Sequence, residues 1–391
     1  MTDKILRIGI DISTLLNHGP DIGAGRYILN LVKNLLKIDK KNTYIFTGRY
    51  ISKEYIGIAY GLKNNFKNNR IELKLYGTSR KKLDLWDRFR FPPIEFLGFK
   101  ADILHCPDYL IPPTLNKNII LTIHDLTFMR FPEFNFEWFI KKYTREVRNN
   151  ALISKKIIAD SKSTKKDIIS FFKTDPRKVD VVYLAADGTF KTLSSDRIDK
   201  NILKKYKIDK KYILSVGTIE PRKNIITLIK AFNHLKQKKE SFDYKLVIAG
   251  RTGWKSEDTY MERDKSPSRE DILFIGRVPD SDLVQIYNQA ELFVYPSLFE
   301  GFGLPPLEAM SCGLPIIASK NSSLDEVIGD AGILIPAEDH KELQKQILYI
   351  LENKEIKRKL KKKSVSKADQ FSWIRTAGKT LDIYRKAALQ K

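Results

Sequence analysis

Two glutamates and two adjacent cations carry the side-chain chemistry that stands out in this 391-residue chain. Glu300 and Glu308 bound one loop, and Arg222 and Lys223 lie together in an earlier one. Carboxylates accept hydrogen bonds from ligand hydroxyl groups, and paired cations beside a helix start can hold a diphosphate. Two simpler roles remain open, since Glu308 could stabilise the first turn of its helix and the cations could form a surface pair.

The segment around the glutamates predicts a strand, a glycine loop and a helix in succession. The apolar run 291–295 is typical of a buried strand. Gly301 and Gly303 let backbone amides approach a ligand closely, and the prolines 305–306 suit a first helical turn. A loop of this kind at the carboxyl end of a strand is where α/β sheets bind phosphates.

Three further positions follow predicted strands. His124 and Asp125 come at the end of the apolar run 118–124, and His105 ends the run 101–105. Because strand carboxyl ends carry function in α/β sheets, we expect His124 to contact a ligand hydroxyl or phosphate. His105 has an equal claim to a structural role. The turn 23–25, Gly-Ala-Gly, is either a tight turn or a point of close approach to phosphates.

Strands alternate with helices twice along the chain, which predicts an α/β protein with two Rossmann-like, doubly wound parallel sheets facing a ligand cleft. We place the first domain at 1–188, a polar linker at 189–210 and the second domain at 211–370. The last segment, 371–391, has the pattern of a helix.

The composition narrows the possible partners. Lys and Arg number 70 against 47 Asp and Glu, a net charge of +23, but lysine is spread along the whole chain and no nucleic-acid recognition motif stands out. We therefore expect no nucleic-acid partner. No His/Cys cluster has zinc spacing, so we expect no metal. Only two cysteines, no long apolar run and a start that leads straight into a strand predict a cytoplasmic protein.

Two segments, 80–100 and 128–143, mix basic and aromatic residues. Amphipathic segments of this composition often bind an anionic membrane surface. The alternative is that each is an ordinary helix that packs its aromatic face against the protein.

Four motifs together resemble a known family: Gly23-Ala-Gly25, His124-Asp125, Glu220-Pro-Arg-Lys-Asn224 and Glu300-Gly-Phe-Gly-Leu-Pro-Pro-Leu-Glu308. Over nearly the whole chain, the sequence is similar to retaining glycosyltransferases of family 4, with the GT-B architecture, in their mannosyltransferase-like branch. The resemblance implies that the C-terminal helix packs back on the first domain. It also implies a nucleotide-sugar donor, most simply GDP-mannose, and no cofactor.

The resemblance assigns a role to each motif. Its donor-binding residues are Gly25, Gly217, Thr218, Arg222, Lys223, Phe302, Gly303, Leu304 and Glu308. Glu308 would bind the nucleotide ribose, Glu300 and nearby backbone amides the sugar hydroxyls, and the two cations the departing diphosphate. His124 would contact the sugar near the reacting carbon, whereas His105 and Asp125 are candidates for the acceptor. Many relatives have arginine where this chain has Thr218, a charge that Arg222 can supply.

The implied reaction transfers a hexose to a saccharide or lipid-linked saccharide in surface polysaccharide synthesis. The acceptor hydroxyl would attack the face that the diphosphate leaves, and a phosphate oxygen would take the proton. A transferase that uses a UDP-sugar donor and a nucleotide-sugar epimerase are the alternatives within the same architecture. Outside it, a basic nucleic-acid-binding protein and a catalytically silent membrane scaffold are the competing classes.

Overall fold

The computed structural model describes residues 4–389 of the chain. These residues form two compact units. The first unit consists of Met1–Leu184 together with Ser372–Lys391, and the second unit of Ala185–Phe371. Each unit is a parallel sheet with helices.

Among the described residues, the first unit contains a seven-stranded sheet with the order β3-β2-β1-β4-β5-β6-β7. In chain order its strands are β1 Arg7–Asp11, β2 Thr43–Tyr50, β3 Arg70–Gly77, β4 Ile103–Cys106, β5 Ile119–Ile123, β6 Lys156–Ala159 and β7 Val179–Val181. Neighbouring strands are all parallel. The central strands are short runs of buried, largely β-branched residues, as expected where helices cover both faces of a sheet.

The second unit has a six-stranded parallel sheet within the described part of the chain, in the order β10-β9-β8-β11-β12-β13. Its strands are β8 Tyr212–Val216, β9 Lys245–Ala249, β10 Ile272–Gly276, β11 Leu292–Tyr295, β12 Ile316–Ser319 and β13 Ile333–Ile335. β8 lies between β9 and β11, so the loops that follow β8 and β11 emerge side by side at the carboxyl edge.

The helices alternate with these strands. Those of the first unit are α1 Ser13–His18, α2 Gly23–Ile38, α3 Ile56–Asn65, α4 Arg80–Phe89, α5 Thr127–Arg130, α6 Glu137–Ile153, α7 Lys162–Phe172 and α16 Trp373–Leu389. Those of the second unit are α8 Asn201–Lys205, α9 Ile225–Lys238, α10 Glu257–Asp264, α11 Asp280–Gln289, α12 Leu304–Ser311, α13 Leu324–Val327, α14 His340–Glu352 and α15 Lys354–Ala368.

Each unit has its own apolar core. In the first unit, α16 packs against α2 and β4, so the last helix of the chain belongs to the unit in which the chain begins. In the second unit, α9 and α14 pack against each other and contribute to the core with the strands. The two cysteines, Cys106 and Cys312, are buried and unpaired.

The two parallel sheets confirm the predicted fold class. The details differ at two places. The stretch 189–210, expected to be a linker, includes α8 and lies within the second unit. His105 lies inside β4, not at its end, because that strand continues to Cys106.

Candidate active site

The loop that follows β8 holds Arg222 and Lys223 in a short 3-10 turn, Pro221–Lys223, just before α9. Asn224 closes the turn with a left-handed backbone, φ 52°. Its side-chain amide donates to the carbonyl oxygens of Pro296 and Ala337, at 3.1 and 2.7 Å. These hydrogen bonds tie the turn to the loops that follow β11 and β13.

Both cations point to carboxylates. Lys223 Nζ lies 2.6 Å from Glu300 Oε1, and Arg222 Nη1 lies 2.8 Å from Glu300 Oε2. Arg222 Nη2 also donates to Glu220 Oε1 at 2.6 Å. Two cations and two carboxylates thus form one largely buried cluster, which we call the Glu300 cluster, with charges that balance.

Glu300 is the centre of that cluster. Its Oε1 also accepts hydrogen bonds from the hydroxyl groups of Ser297, at 2.6 Å, and Tyr295, at 2.9 Å. Burial opposes ionisation of this carboxyl, but the charges of Arg222 and Lys223 outweigh it and lower the pKa of Glu300 to about 2. Burial and the neighbouring Arg222 lower the pKa of Lys223. Glu300 is therefore an anion at neutral pH.

The backbone of the loop after β11 is fixed from a neighbouring segment. The Ser323 hydroxyl donates to the carbonyl oxygens of Glu300 and Phe302, at 3.0 and 2.8 Å. Gly303 has φ +99°, and a Cβ there would lie 2.9 Å from a Leu324 methyl group, so glycine is required. Leu304 then begins α12, and because Pro305 and Pro306 lack backbone N–H groups, Leu304 supplies the amide of the first turn that could face a ligand.

Glu308 lies on α12 and is buried. Its Oε2 accepts a hydrogen bond from the Tyr287 hydroxyl at 3.2 Å. Burial, reinforced by the charge of Glu308, raises the pKa of Tyr287 well above its usual range, so this hydroxyl stays a donor.

Gly217 follows β8 with φ +155°, and a Cβ there would contact the Lys223 side chain at 3.4 Å. Thr218 is the next residue along that loop.

The first unit contains the other group of predicted site residues. His124 follows β5, and its Nδ1 lies 2.7 Å from Oδ2 of Asp160, which follows β6. Its Nε2 lies 3.1 Å from the carbonyl oxygen of Pro107. Burial opposes a charge on this ring, but the charge and hydrogen bond of Asp160 raise the pKa of His124 to about 9.

Asp125 and Gly25 have local structural partners. Asp125 Oδ1 accepts a hydrogen bond from the backbone amide of Thr127 at 2.9 Å, at the start of α5. A Cβ on Gly25 would lie 1.9 Å from the carbonyl oxygen of Gly19, so the fold itself demands glycine at this position. These contacts neither require nor oppose ligand binding.

For His105, the geometry favours the structural role over an acceptor contact. Its ring is fully buried in β4. Nδ1 lies 2.6 Å from the Tyr384 hydroxyl of α16, and Nε2 lies 2.8 Å from the Thr122 hydroxyl. Burial, with a smaller effect of His124, lowers the pKa of His105 to about 3, so the ring is neutral. Both nitrogens are engaged, and an acceptor could reach the ring only by breaking one of these hydrogen bonds.

Four contributors to these arrangements were not among the predicted site residues: Glu220, Tyr295, Ser297 and Asp160. Glu220 lies inside one of the motifs that carry the prediction, Tyr295 and Ser297 lie just before another, and Asp160 directly follows an apolar run that predicts a strand. Position after a strand was therefore the available signal for Asp160. Within residues 4–389, no group of three or more His, Cys, Asp or Glu side chains is arranged to hold a metal ion.

Comparison with known proteins places this geometry in a family. The family model for Glycosyltransferase Family 4 matches residues 22–188, and that for Glycosyl transferases group 1 matches residues 198–367. O-antigen chain mannosyltransferase B of Escherichia coli is 31% identical over 379 residues, which cover 94% of this chain and 96% of that protein. The chain belongs to glycosyltransferase family 4.

A second relative and a solved structure are also similar to this chain. The serotype-specific mannosyltransferase WbdA of Escherichia coli is 32% identical over 280 residues, or 70% of this chain and 32% of that longer protein. Among solved structures, Anabaena HepE in complex with UDP and glucose has a TM-score of 0.74 at 16% identity, covering 97% of this chain and all of that one. This family 4 glycosyltransferase therefore has the GT-B fold of two Rossmann-like domains.

Proposed function

We propose that this glycosyltransferase moves mannose from GDP-mannose, with retention of configuration, to a saccharide or lipid-linked saccharide during surface polysaccharide synthesis. Two relatives named as mannosyltransferases support the choice of sugar, one of them aligned over nearly its whole length. The name of that relative, an O-antigen chain enzyme, supports a polysaccharide acceptor.

The observation that carries this proposal is the Glu300 cluster at the carboxyl edge of the second sheet. A diphosphate leaving group develops negative charge as its bond to the sugar breaks, and preorganised cations stabilise that charge. Arg222 and Lys223 are held in place by Glu220 and Glu300, so they need no reorganisation of their backbone to meet an anion. Glu300 Oε2, which Arg222 contacts, keeps acceptor capacity for a sugar hydroxyl.

The proposed reaction uses groups of the donor and acceptor themselves. The bond between the sugar anomeric carbon and the diphosphate oxygen breaks, and the acceptor oxygen bonds to that carbon on the same face. The acceptor proton moves to an oxygen of the departing phosphate, so no protein base is consumed. In this scheme Glu308 holds the ribose, the amides at 302–304 orient the sugar, and no protein-bound metal or cofactor takes part.

The experiment that tests the donor is a thermal-shift screen of GDP-mannose, GDP, UDP-glucose and UDP-GlcNAc, because a ligand that binds only the folded state raises the unfolding temperature. We expect GDP-mannose to give the largest shift and Lys223→Ala to abolish it. Lys245→Ala is the matched control, since Lys245 is a buried lysine of the same sheet paired with Asp209 outside the cluster. A larger shift with a UDP-sugar would overturn the choice of donor.

Two product measurements test the rest. NMR of the product should show the α-anomer with retained configuration, and EDTA should leave the rate unchanged. Conversion of the donor sugar in the absence of acceptor would identify an epimerase instead.

We further propose that this enzyme works in the cytoplasm and attaches peripherally to an anionic membrane that carries a lipid-linked acceptor. No residue of α4 is fully buried, although Trp86 packs against the core of the first unit. Phe89, Phe91 and Phe96 in and after this helix are 67%, 67% and 66% exposed, and Trp138 on α6 is 65% exposed. Exposed aromatics beside the cations of 80–90 suit a lipid interface. No helix within residues 4–389 has the length and apolar character needed to cross a bilayer.

Co-sedimentation with vesicles containing anionic phospholipid at low salt tests this attachment. We expect Phe89→Ser combined with Phe91→Ser to reduce the bound fraction by at least about tenfold, since each lost aromatic removes apolar area from the interface. Leu152→Ser with Ile153→Ser is the control, because these residues are also exposed but lie about 21 Å from Trp138 along α6. Equal losses in both variants would contradict the assigned surface.

A further inference from the structure

The hydrogen bonds of His124 constrain where its protons are. Nδ1 faces the Asp160 carboxylate at 2.7 Å, and Nε2 faces the Pro107 carbonyl oxygen at 3.1 Å. A carbonyl oxygen can only accept, and an ionised carboxylate can only accept. A neutral imidazole carries one N–H, so with Asp160 ionised one of its nitrogens would direct a lone pair at another oxygen.

We propose that Asp160 is a positioning residue that, together with the Pro107 carbonyl, keeps His124 as an imidazolium ion, so that His124 contributes a fixed positive charge to sugar transfer and never acts as a base. Nδ1–H donates to Asp160 and Nε2–H donates to Pro107. The function of the pair therefore depends on a charge that the carboxylate stabilises, beyond the orientation it gives to the ring.

The His124–Asp160 pair could hold the same number of protons in a second, uncharged form. Transfer of the Nδ1 proton to Asp160 would leave a neutral imidazole beside a neutral carboxylic acid. Burial and the charge of Asp125 raise the pKa of Asp160 and favour this form, whereas the charge of His124 lowers that pKa. The carboxylates of Asp108 and Asp125 in turn stabilise a positive charge on His124. Asp160 is itself buried, and its Oδ1 has no hydrogen-bond partner within residues 4–389. The energy of the ionised pair therefore depends on the single contact to His124.

The surroundings of His124 contain few other groups that can titrate. The neighbouring strands and helices present Asp160 after β6, Asp108 and Tyr109 after β4, Asp125 in its own loop, Tyr27 from α2 and the neutral His105 within β4. Burial raises the pKa of both tyrosines, with the nearby carboxylates adding to the effect, so neither carries charge near neutral pH. Asp160 is the largest favourable influence on the imidazolium.

The first test is a measurement on the wild-type protein that does not depend on activity. The ¹⁵N chemical shifts of His124 report whether each ring nitrogen carries a proton. We expect both nitrogens to be protonated at pH 7.5 and to titrate with a midpoint near 9, the value to which Asp160 raises the pKa. A ring with an unprotonated Nδ1 at pH 7.5 would overturn the proposal, whether or not the variants below fold.

The second test is the pH dependence of transfer in Asp160→Asn, and it rests on the proposed transferase activity. The amide keeps an acceptor for Nδ1–H but removes the charge, so the His124 midpoint should fall to its ordinary value of 6.5 or below, because burial opposes the charge on the ring. At pH 8.5 the rate should fall by at least about a hundredfold, because at most about one ring in a hundred is then protonated. As the pH falls below the new midpoint, the rate should recover to within about threefold of wild type.

Asp167→Asn is the matched control. Asp167 is a buried aspartate of the adjacent α7 that pairs with Arg130, so its loss tests the general effect of removing a buried charge. We expect this variant to leave the shape of the pH profile unchanged. A uniform loss of rate at every pH in Asp160→Asn would reduce Asp160 to a structural role. Failure of the donor assay in the wild type, with the NMR result intact, would contradict the proposed function and not this inference.

Discussion

The Glu300 cluster and the His124–Asp160 pair bury charge at corresponding places, the carboxyl ends of central strands in two parallel sheets. The cluster has two cations, two carboxylates and two further hydroxyl donors around one glutamate. The pair has one cation and one carboxylate, whose second oxygen has no hydrogen-bond partner within residues 4–389. One arrangement is redundant, whereas the other depends on a single contact.

This difference separates two ways of using buried charge. In the cluster, Glu300 and both cations each have more than one partner, so no single contact decides the charge state of Glu300. Only Glu220 resembles Asp160, since it pairs with Arg222 through one oxygen and its other oxygen has no hydrogen-bond partner within residues 4–389. In the pair, the charge state of the histidine follows from one neighbour and can respond to pH. We therefore expect loss of charge to affect the stability of the two regions at opposite ends of the pH scale.

The largest effect is expected from Glu300→Gln. Two buried cations would lose their shared partner, which should lower the free energy of unfolding by about 3–5 kcal/mol in urea titrations at pH 7. Because the folded pKa of Glu300 is near 2, below its ordinary 4.5, its contribution is complete above pH 4.5 and is lost as pH falls toward 2. The difference in the free energy of unfolding between wild type and Glu300→Gln should therefore narrow as the pH falls from 4.5 toward 2.

Asp330→Asn is the control for this variant. Asp330 also pairs with a lysine, Lys363, but both side chains are substantially exposed. Its loss should cost much less than that of Glu300, because exposed ion pairs contribute little to stability. Similar losses in the two variants would show that the Glu300 cluster contributes no more than a surface ion pair.

His124→Gln should show the opposite pH dependence. The folded pKa of His124 lies near 9, above its ordinary 6.5, so its contribution is complete below pH 6.5 and is lost as pH rises through 9. The shift corresponds to about 3 kcal/mol at most. Urea titrations at pH 6 and pH 9.5 should show a large difference from wild type at the first pH and a small one at the second. A difference that is constant across this range would mean that the ring is uncharged.

Much of the fold could be predicted from the sequence, because buried parallel strands are short apolar runs bounded by turns. The contacts within the two charged regions could not. Arg222 and Lys223 predict an anion site when considered alone, but β8 and β11 are neighbours in the sheet and bring Glu300 to them across 78 and 77 residues. Asp160 meets His124 because β5 pairs with β6. For His105 the sequence left a structural and an acceptor role open, because it does not show that Cys106 continues the strand and that the ring is buried.

Transfer rates test whether the Glu300 cluster, in which Glu300 has several partners, tolerates the loss of one member during catalysis. Lys223→Ala and Glu308→Ala should each lower the transfer rate by at least about tenfold, equivalent to about 1.4 kcal/mol of barrier. Lys223 belongs to the Glu300 cluster, whereas Glu308 lies outside it and accepts a hydrogen bond from Tyr287. Initial rates at saturating and limiting donor separate binding from turnover. Wild-type kinetics in both variants would remove the second sheet's carboxyl edge from the reaction.

The smallest effect is expected from Ser297→Ala. Its hydroxyl is one of three donors to Glu300 Oε1, and Lys223 and Tyr295 remain when it is lost. We therefore expect a loss of about 1 kcal/mol, the net value of one hydrogen bond, and a pKa of Glu300 that stays well below its ordinary value because both cations are unchanged. Urea titration at pH 7 and pH 3 measures both quantities. A loss as large as that of Glu300→Gln would mean that the cluster, like the His124–Asp160 pair, depends on a single contact.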